Sequence, residues 1–300
     1  MAIESRKGLT VTWTDPRGKV WDLTAGTQGV ILDLGQEGLG WAELDHTFTR
    51  GDLIHVASRV KRGRHNLKVL VGHGLTGQEF FDLYREWWTQ ANSPYEEGEL
   101  AVTTPAGDTR ARRLRLNDTP DTSHAFDPGL GLSYTPELWS LTGNYGWWLG
   151  TEQRTQYTPD SMAGGNDMPF YGQSGAGWPL YIANAYRASD AYISNTGQGP
   201  MWLTWTLVGP MSRPRVGVVG SSELVYEGDL LASEVVQIIT DPAGRAVVET
   251  STGASRYGQV TGTWAPAPVG DRVPLIVGAD SMGSGASIYV AGRPAYGTAF

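Results

Sequence analysis

The stretch that decides the fold runs from Asn66 to Ala91 and reads NLKVLVGHGLTGQEFFDLYREWWTQA. Its first part, Asn66–Val71, is an apolar run that predicts a β-strand, and a GxGxxG turn follows at Gly72–Gly77. The residues after the turn, near 78–91, repeat apolar side chains with the period of a helix. Taken alone, this order of strand, glycine turn and helix is the fingerprint of a nucleotide-binding site.

The surrounding sequence argues against a bound nucleotide. Glu79 lies in the first turn of the predicted helix, where a fixed negative charge opposes a pyrophosphate. The next predicted strand, Leu100–Thr104, turns back at Pro105–Gly107 into an antiparallel hairpin, whereas the cofactor fold needs a crossover to a parallel strand. The sequence therefore favours a simple connection, with Thr76 as N-cap and Glu79 closing a capping box, and it predicts no cofactor.

The predicted helix has a broad apolar face. Burying six large apolar side chains yields at most roughly 9–18 kcal/mol, while ordering the backbone of the helix costs about 14–28 kcal/mol. We therefore expect it to pack on something larger, such as a sheet, although an arc this wide could also reach a neighbouring subunit. The face comprises Phe80, Leu83, Tyr84, Trp87 and Ala91, widened by Phe81 and Trp88.

Composition favours a mainly β protein. Forty glycines and seventeen prolines without a repeat period suit many short strands and turns, and the absence of cysteine excludes disulfides and thiolate chemistry. The net charge of −8 argues against a general nucleic-acid binder. No segment has the length and apolarity of a signal peptide or a membrane helix, so we expect synthesis in a cytoplasm and no membrane insertion.

The pattern of predicted secondary structure changes near residue 122. We predict an N-terminal domain over 1–122, containing the helix, and a C-terminal antiparallel β-sandwich over 123–300. Asp15-Pro16-Arg17-Gly18 has the chemistry of a type I turn, and the same chemistry recurs at Asp241–Gly244. The hairpins and strands expected are Leu9–Thr14 with Lys19–Leu23, Leu100–Thr104 with Thr109–Leu116, Met201–Val208, Arg215–Val219, Glu223–Tyr226, Val235–Thr240 with Ala246–Thr250, Val273–Val277 and Ser287–Ala291.

One predicted strand carries arginine on both faces. Arg110 and Arg112 share one face of Thr109–Leu116, and Arg113 and Arg115 share the other. Such a strand could face a wet channel or a partner subunit, or it could be a solvated edge strand protected by its charge. These four residues are the candidate channel- or subunit-facing basic residues.

The search for catalytic and metal-binding motifs favours a protein that is not an enzyme. No HExxH occurs, and the histidines at 46, 55, 65, 73 and 124 lack metal-ligand spacing, so we predict no metal site. Ala279–Gly283 imitates a nucleophile elbow, but no histidine follows it in the chain. The sequence predicts no catalytic residue.

Aromatic residues are concentrated between residues 130 and 205, which hold 14 of the 31 in the chain. Trp147 and Trp148 are adjacent, so in a strand they point to opposite faces and one of them must leave its own core. With Tyr171 they are the candidates for a surface that contacts a glycan or a partner. The alternative is that they fill a sandwich core, as Trp and Tyr often do.

The order of elements resembles the distal tail proteins of long-tailed phages with non-contractile tails. It consists of an N-terminal hairpin, the glycine turn, one helix with paired tryptophans, the hairpin GELAVTTPAGD at 98–108 and an aromatic β-domain. The segment 190–293 resembles the galectin-like domain of that family, whereas 133–180 matches least well. The resemblance implies a tube-like N-terminal domain with one helix, followed by a galectin-like sandwich.

The resemblance also implies a structural role at the tail tip of a virion. It implies a ring, usually of six copies, that joins the tail tube protein to baseplate hub and receptor-binding proteins, near the tape-measure protein. DNA would pass through the lumen without specific binding. The alternative is a carbohydrate-binding β-sandwich protein that attaches to host cell-wall glycans.

Overall fold

The computed structural model describes residues 8–37, 39, 42–49, 55–72, 75–91, 93–118, 121–122, 135–162 and 186–300. Within these ranges the chain is mainly β-structure with one α-helix, as the sequence predicts. It forms two compact units, one of Met1–Thr151 with Tyr296–Phe300 and one of Glu152–Ala295. No helix in the described ranges has both the length and the apolarity to span a membrane.

The first unit is built on an antiparallel sheet with the strand order β2-β1-β7-β8-β10-β6-β3. A separate two-stranded hairpin, β4–β5, pairs only with itself among the described strands. The elements are β1 Thr10–Thr14, β2 Val20–Asp22, β3 Val30–Leu32, β4 Leu44–Phe48, β5 His55–Val60, β6 Arg64–Val71, α1 Gly77–Gln90, β7 Gly98–Thr103, β8 Thr109–Leu116, β9 Asp121–Thr122, β10 Thr135–Thr142 and β11 Trp148–Leu149.

The β1–β2 turn forms as its sequence predicts. Asp15 Oδ1 accepts hydrogen bonds from the amides of Arg17 at 3.0 Å and Lys19 at 2.9 Å. Gly18 adopts a φ of 90°, a conformation that side-chain-bearing residues rarely take. The other oxygen of this buried carboxylate accepts the indole N–H of Trp21 at 3.2 Å, which ties the turn to the core.

Helix α1 lies within one residue of its predicted range and packs on the sheet. Leu83, Trp87 and Ala91 join the core formed by the strands, and the Trp13 indole N–H caps the helix end by donating to the Ala91 carbonyl at 2.6 Å. Phe81 remains 42% exposed, so the broad apolar face is not fully covered within the unit.

The predicted capping box is wrong. Thr76 is the N-cap residue, but its side chain makes no capping hydrogen bond. The next residue, Gly77, has a φ of 56°, which departs from the helical backbone that a capping box requires at the first helical position. Glu79 does lie in the first turn, as expected.

The second unit contains two main antiparallel sheets, with the orders β12-β25-β15-β20-β21 and β13-β23-β17-β18-β22. Its strands are β12 Gln153–Tyr157, β13 Tyr186–Arg187, β14 Tyr192–Asn195, β15 Leu203–Val208, β16 Met211–Ser212, β17 Arg215–Val218, β18 Ser222–Tyr226, β19 Asp229–Leu230, β20 Val235–Ile239, β21 Ala246–Glu249, β22 Val260–Thr263, β23 Gly270–Ala279, β24 Ser281–Met282 and β25 Ser287–Gly292, and β26 Ala295–Tyr296 follows at its end.

The two sheets of the second unit share one core. Alternate residues of each strand point inward, so that Trp205 and Ile238 of one sheet lie in the same buried cluster as Val216 and Leu275 of the other. This arrangement is the antiparallel sandwich that the spacing of short strands predicts.

The boundary between the units differs from the predicted break after residue 122. Strand β10 pairs along its whole length with β6, from Thr135 opposite Val71 to Thr142 opposite Arg64, and therefore belongs to the first unit. Pairing between strands this distant in sequence leaves no local compositional signal. The first unit also includes the last five residues, because Ala299 is buried in its core and donates its amide to the Leu39 carbonyl at 3.1 Å.

Candidate functional site

The first glycine of the turn before α1 packs against the helix that follows it. Gly72 has a φ of 84°, and a Cβ atom there would lie 2.1 Å from the Phe80 ring. Glycine is therefore needed at this position for the approach of an aromatic side chain from the helix. His73 and Gly74 lie outside the described residues.

Below the helix, a buried carboxylate collects three indole donors. Glu137, on β10, is 3% exposed. Its Oε2 accepts from Trp87 Nε1 at 3.0 Å and Trp139 Nε1 at 2.6 Å, and its Oε1 accepts from Trp88 Nε1 at 2.9 Å. Charge-assisted hydrogen bonds of this kind are about twice as strong as neutral ones, so the cluster fixes α1 against β10.

The same carboxylate influences Tyr84. Burial, together with the charge of Glu137, raises the pKa of Tyr84 to about 12. The Tyr84 ring stacks on Phe80, with ring centroids 5.6 Å apart and planes 18° apart. Trp87 and Trp88 of α1 thus contribute to core packing and also donate hydrogen bonds to Glu137, which makes the orientation of the helix specific.

The arginines of β8 divide into two pairs. Arg110 lies against the C-terminal segment, where its Nη1 donates to the Thr298 carbonyl at 3.1 Å and its Cζ lies 4.0 Å from the Tyr296 ring. Arg112 is 3% exposed, donates to the Gly146 carbonyl at 2.7 Å and lies 4.5 Å from the Trp148 ring. These two guanidinium groups are thus engaged within the unit.

The other two arginines point away from the core. Arg113 is exposed, and its Nε lies 4.0 Å from Glu99 Oε2 on the neighbouring strand. Arg115 Nη2 donates to Asn144 Oδ1 at 3.1 Å. A channel or a subunit could therefore meet Arg113 and Arg115 without rearrangement of the core.

His65 is a buried histidine that the sequence did not distinguish from the others. It is 2% exposed on β6, and its Nδ1 has no hydrogen-bond partner among the described residues. Burial and the adjacent charge of Arg112 lower the pKa of His65 from 6.5 to about 3. Burial likewise lowers the pKa of Arg112 to about 10. The imidazole is consequently neutral at physiological pH.

The candidate glycan-facing aromatics differ in exposure. Trp148 is fully buried and covered by Arg112, so its ring offers no face to a ligand, whereas Trp147 is half-buried. Trp147 and Trp148 therefore lie in different environments, as expected for adjacent residues in extended chain. Tyr171 lies outside the described residues.

The hairpin β4–β5 was not predicted, and its strand β4 is largely exposed. On one face Leu44 is 48% and Phe48 51% exposed, with His46 and His55 beside them. Their rings form a group in which Phe48 lies 5.7 Å and His46 5.6 Å from His55, centroid to centroid. Period-two alternation in Leu44–Phe48 was the signal in the sequence that would have identified this strand.

The other face of the hairpin is charged. Arg59 donates twice to Asp45, at 2.9 and 2.7 Å, and Lys61 Nζ lies 2.6 Å from Glu43. The hairpin is therefore amphipathic, and its apolar face carries the half-exposed side chains of Leu44 and Phe48. Among the described residues, no group of three or more acidic or histidine side chains is placed to hold a metal ion.

Comparison with models of known protein families gives no match, and no curated protein matches in sequence. Solved structures do match in fold. The Dit protein of phage SPP1, described as a paradigm of the hub adsorption apparatus in Gram-positive infecting phages, aligns with a TM-score of 0.57 at 10% identity. Chains of the phage P2 baseplate in its activated conformation align with TM-scores of 0.55 with Ca, at 12% identity, and 0.58 with Sr, at 13% identity. Each alignment covers 95% of this chain and 98% of the other, so the similarity of fold extends over nearly the full length of both chains.

Proposed function

We propose that this chain is a structural protein of a phage tail tip, a ring adaptor that joins the tail tube to the tip or baseplate components. The observation that carries the proposal is the match of fold over nearly the whole length of hub and baseplate proteins. Both units take part in that match. The role is mechanical and requires no catalysis, and its place is the tail tip of a virion.

The exposed face of the β4–β5 hairpin supports self-assembly. An isolated two-stranded hairpin is marginally stable in water, so a hairpin that pairs only with itself gains from being covered. Full burial of a leucine or phenylalanine contributes about 1.5–3 kcal/mol, and Leu44 and Phe48 are each about half exposed. Covering both would add about 1.5–3 kcal/mol to each subunit contact. We propose that a second copy of this chain covers this face and that repetition of the contact closes a ring.

The finer details of the proposal follow from the family that the sequence resembles. They are a ring of six copies in a phage with a non-contractile tail, a galectin-like second unit, and contacts with tail tube, tape-measure, hub and receptor-binding proteins. Arg113 and Arg115 are the basic residues available to face the channel or a neighbouring subunit. Ejected DNA would pass through the ring without specific recognition.

The experiment is a mass measurement of the purified chain, alone and with tube and tip partners, supported by electron microscopy for rings. We expect a closed ring in the wild type, and loss of the ring in a Leu44→Asp, Phe48→Asp double variant with unchanged secondary structure. Removing about 1.5–3 kcal/mol per contact weakens each contact about 10- to 150-fold.

Leu34→Asp is the matched control, because Leu34 is 89% exposed in the same unit but lies outside the hairpin. We expect the Leu34→Asp variant still to form the oligomeric ring. A wild-type chain that stays monomeric in the presence of tube and tip partners would refute the proposed function. Rings that survive the double variant would refute the role of the hairpin alone.

A further inference from the structure

Three side chains meet at one edge of the second unit, where the chain passes from the sheet containing β21 to the sheet containing β22. Arg245 immediately precedes β21, Tyr257 begins the short 3-10 helix Tyr257–Gln259 between the two strands, and Trp264 immediately follows β22. Since these elements are adjacent in space, the three residues converge although their positions in sequence differ.

The group is a layered stack. The rings of Tyr257 and Trp264 are nearly parallel, with centroids 5.7 Å apart and planes 7° apart. The Arg245 guanidinium carbon lies 5.0 Å from the centre of the Trp264 ring. Trp264 packs partly against the core of the unit, which holds the stack in place, while Tyr257 is 45% exposed. Tyr257 therefore packs beside Trp264 and keeps nearly half of its surface open to solvent.

The polar atoms of the stack have no hydrogen-bond or ion-pair partner among the described residues. The Tyr257 hydroxyl and Trp264 Nε1 make no hydrogen bond with the residues that the structure describes, and the Trp264 nitrogen is not buried. Arg245 forms no ion pair within the described ranges. Nearby Arg256, in contrast, is compensated by Glu249 at 2.6 Å and Glu234 at 3.9 Å. The stack therefore combines a half-exposed tyrosine ring with an arginine that forms no ion pair with any described residue.

We propose that the Arg245–Trp264–Tyr257 stack binds an acidic oligosaccharide. The C–H face of one sugar ring packs on the exposed face of Tyr257, and a carboxylate or phosphate of the same chain pairs with Arg245. The Trp264 N–H and the Tyr257 hydroxyl donate to sugar oxygens. The two distances above place the Tyr257 ring centre and Arg245 Cζ no more than about 11 Å apart, a span that an oligosaccharide of a few residues covers.

Charge complementarity and the shape of the surface favour a saccharide over a protein partner. Aromatic residues with an apolar body and a polar tip suit ligands that are apolar on one side and hydrogen-bonding at the edge. The surface is a half-exposed ring at a sheet edge, whereas strong protein contacts depend on anchoring side chains buried in well-packed pockets. Its residues all belong to the second unit, whereas Trp147 and Trp148 belong to the first, and it does not depend on the proposed ring.

The test measures binding of the full chain to immobilised alginate, polygalacturonate and glycerol-phosphate teichoic acid, with dextran and pullulan as neutral controls. We expect binding to at least one acidic polymer that weakens as salt rises. Tyr257→Ala and Arg245→Gln should each weaken it by about tenfold or more. Thermal unfolding of each variant verifies that the sandwich is intact.

Tyr192→Ala is the matched control. Tyr192 is 42% exposed in the same unit and also lies under an arginine, Arg272, at 4.3 Å, but that arginine is paired with Asp190. This variant should bind as the wild type does. Failure of every acidic polymer to bind, or binding that survives both Tyr257→Ala and Arg245→Gln, would overturn the proposal. If Tyr257→Ala instead abolishes only a complex with another tail protein, the stack is a protein contact and the proposal also fails.

Discussion

Acid should destabilise this protein through one buried histidine. His65 is 2% exposed, and its pKa is about 3 in the folded chain against 6.5 for an ordinary histidine. Because the folded pKa is the lower one, the unfolded chain binds the proton more readily. The contribution of His65 to stability is therefore fully present above pH 6.5 and is lost as the pH falls towards 3.

The magnitude follows from these two pKa values. Each unit of difference corresponds to about 1.36 kcal/mol, so at pH 4.5 the folded state loses about 2.7 kcal/mol, and below pH 3 the loss approaches about 5 kcal/mol. Two physical causes add in the same direction. Burial disfavours the charged imidazole, and Arg112 beside it places a like charge close by.

The assay is urea unfolding at a fixed low protein concentration, repeated between pH 7.5 and 4.5, for the wild type and for His65→Leu. Other groups also titrate in this range, so the informative quantity is the difference between the two proteins. The wild type should lose about 2.7 kcal/mol more than His65→Leu between these pH values. Equal pH dependence in wild type and His65→Leu would refute the reasoning.

Two further predictions concern the surroundings of α1. Glu137→Gln replaces one acceptor oxygen by an amide donor that faces indole donors, and it should destabilise the protein by about 2–5 kcal/mol in urea unfolding. Trp88→Phe, which removes one donor from Oε1, should cost less, and the reverse order would contradict the proposed network. Gly72→Ala should cost about 2–4 kcal/mol, because the new methyl group meets the buried Phe80 ring at 2.1 Å in addition to the strain of a positive φ. Gly107→Ala is its control, since Gly107 also has a positive φ but has nothing within 4 Å, and a loss as large as that of Gly72→Ala would rule out the contact with Phe80 as the cause.

Local patterns predicted the elements of this fold well. Turns such as Asp15–Gly18, the period of α1 and the alternation within the strands of the second unit each depend on residues close in sequence. The strand Thr109–Leu116 has the same bounds in sequence and structure. Two local features were nevertheless missed or wrong, namely the strand Leu44–Phe48 and the capping box at Thr76. The other failures were features set by distant residues. Nothing near β10 reveals that it pairs with β6, so the boundary of the first unit was placed too early.

The candidate site shows the same division. Arginine spacing on β8 predicted its two faces but not which guanidinium groups the core would enclose, because that depends on Gly146 and the C-terminal segment. The sequence predicted no role for Glu137, since its indole partner Trp87 lies 50 residues away. The sequence did not predict the Tyr257–Trp264 stack for another reason. Both residues lie outside the aromatic-rich segment 130–205, and their spacing does not distinguish an exposed aromatic pair from core residues.

Tyr296–Phe300 belong to the first unit although they follow the second unit in sequence. This topology affects the order in which the chain can fold during synthesis. A ribosome makes all of Glu152–Ala295 before it makes Thr298 and Ala299, which contact Arg110 and Leu39 in the first unit. The first core thus stays incomplete until the entire second unit has emerged. A chain that has not passed that point lacks the closing residues of its first unit, and in this way the topology links completion of the first unit to synthesis of the whole second unit.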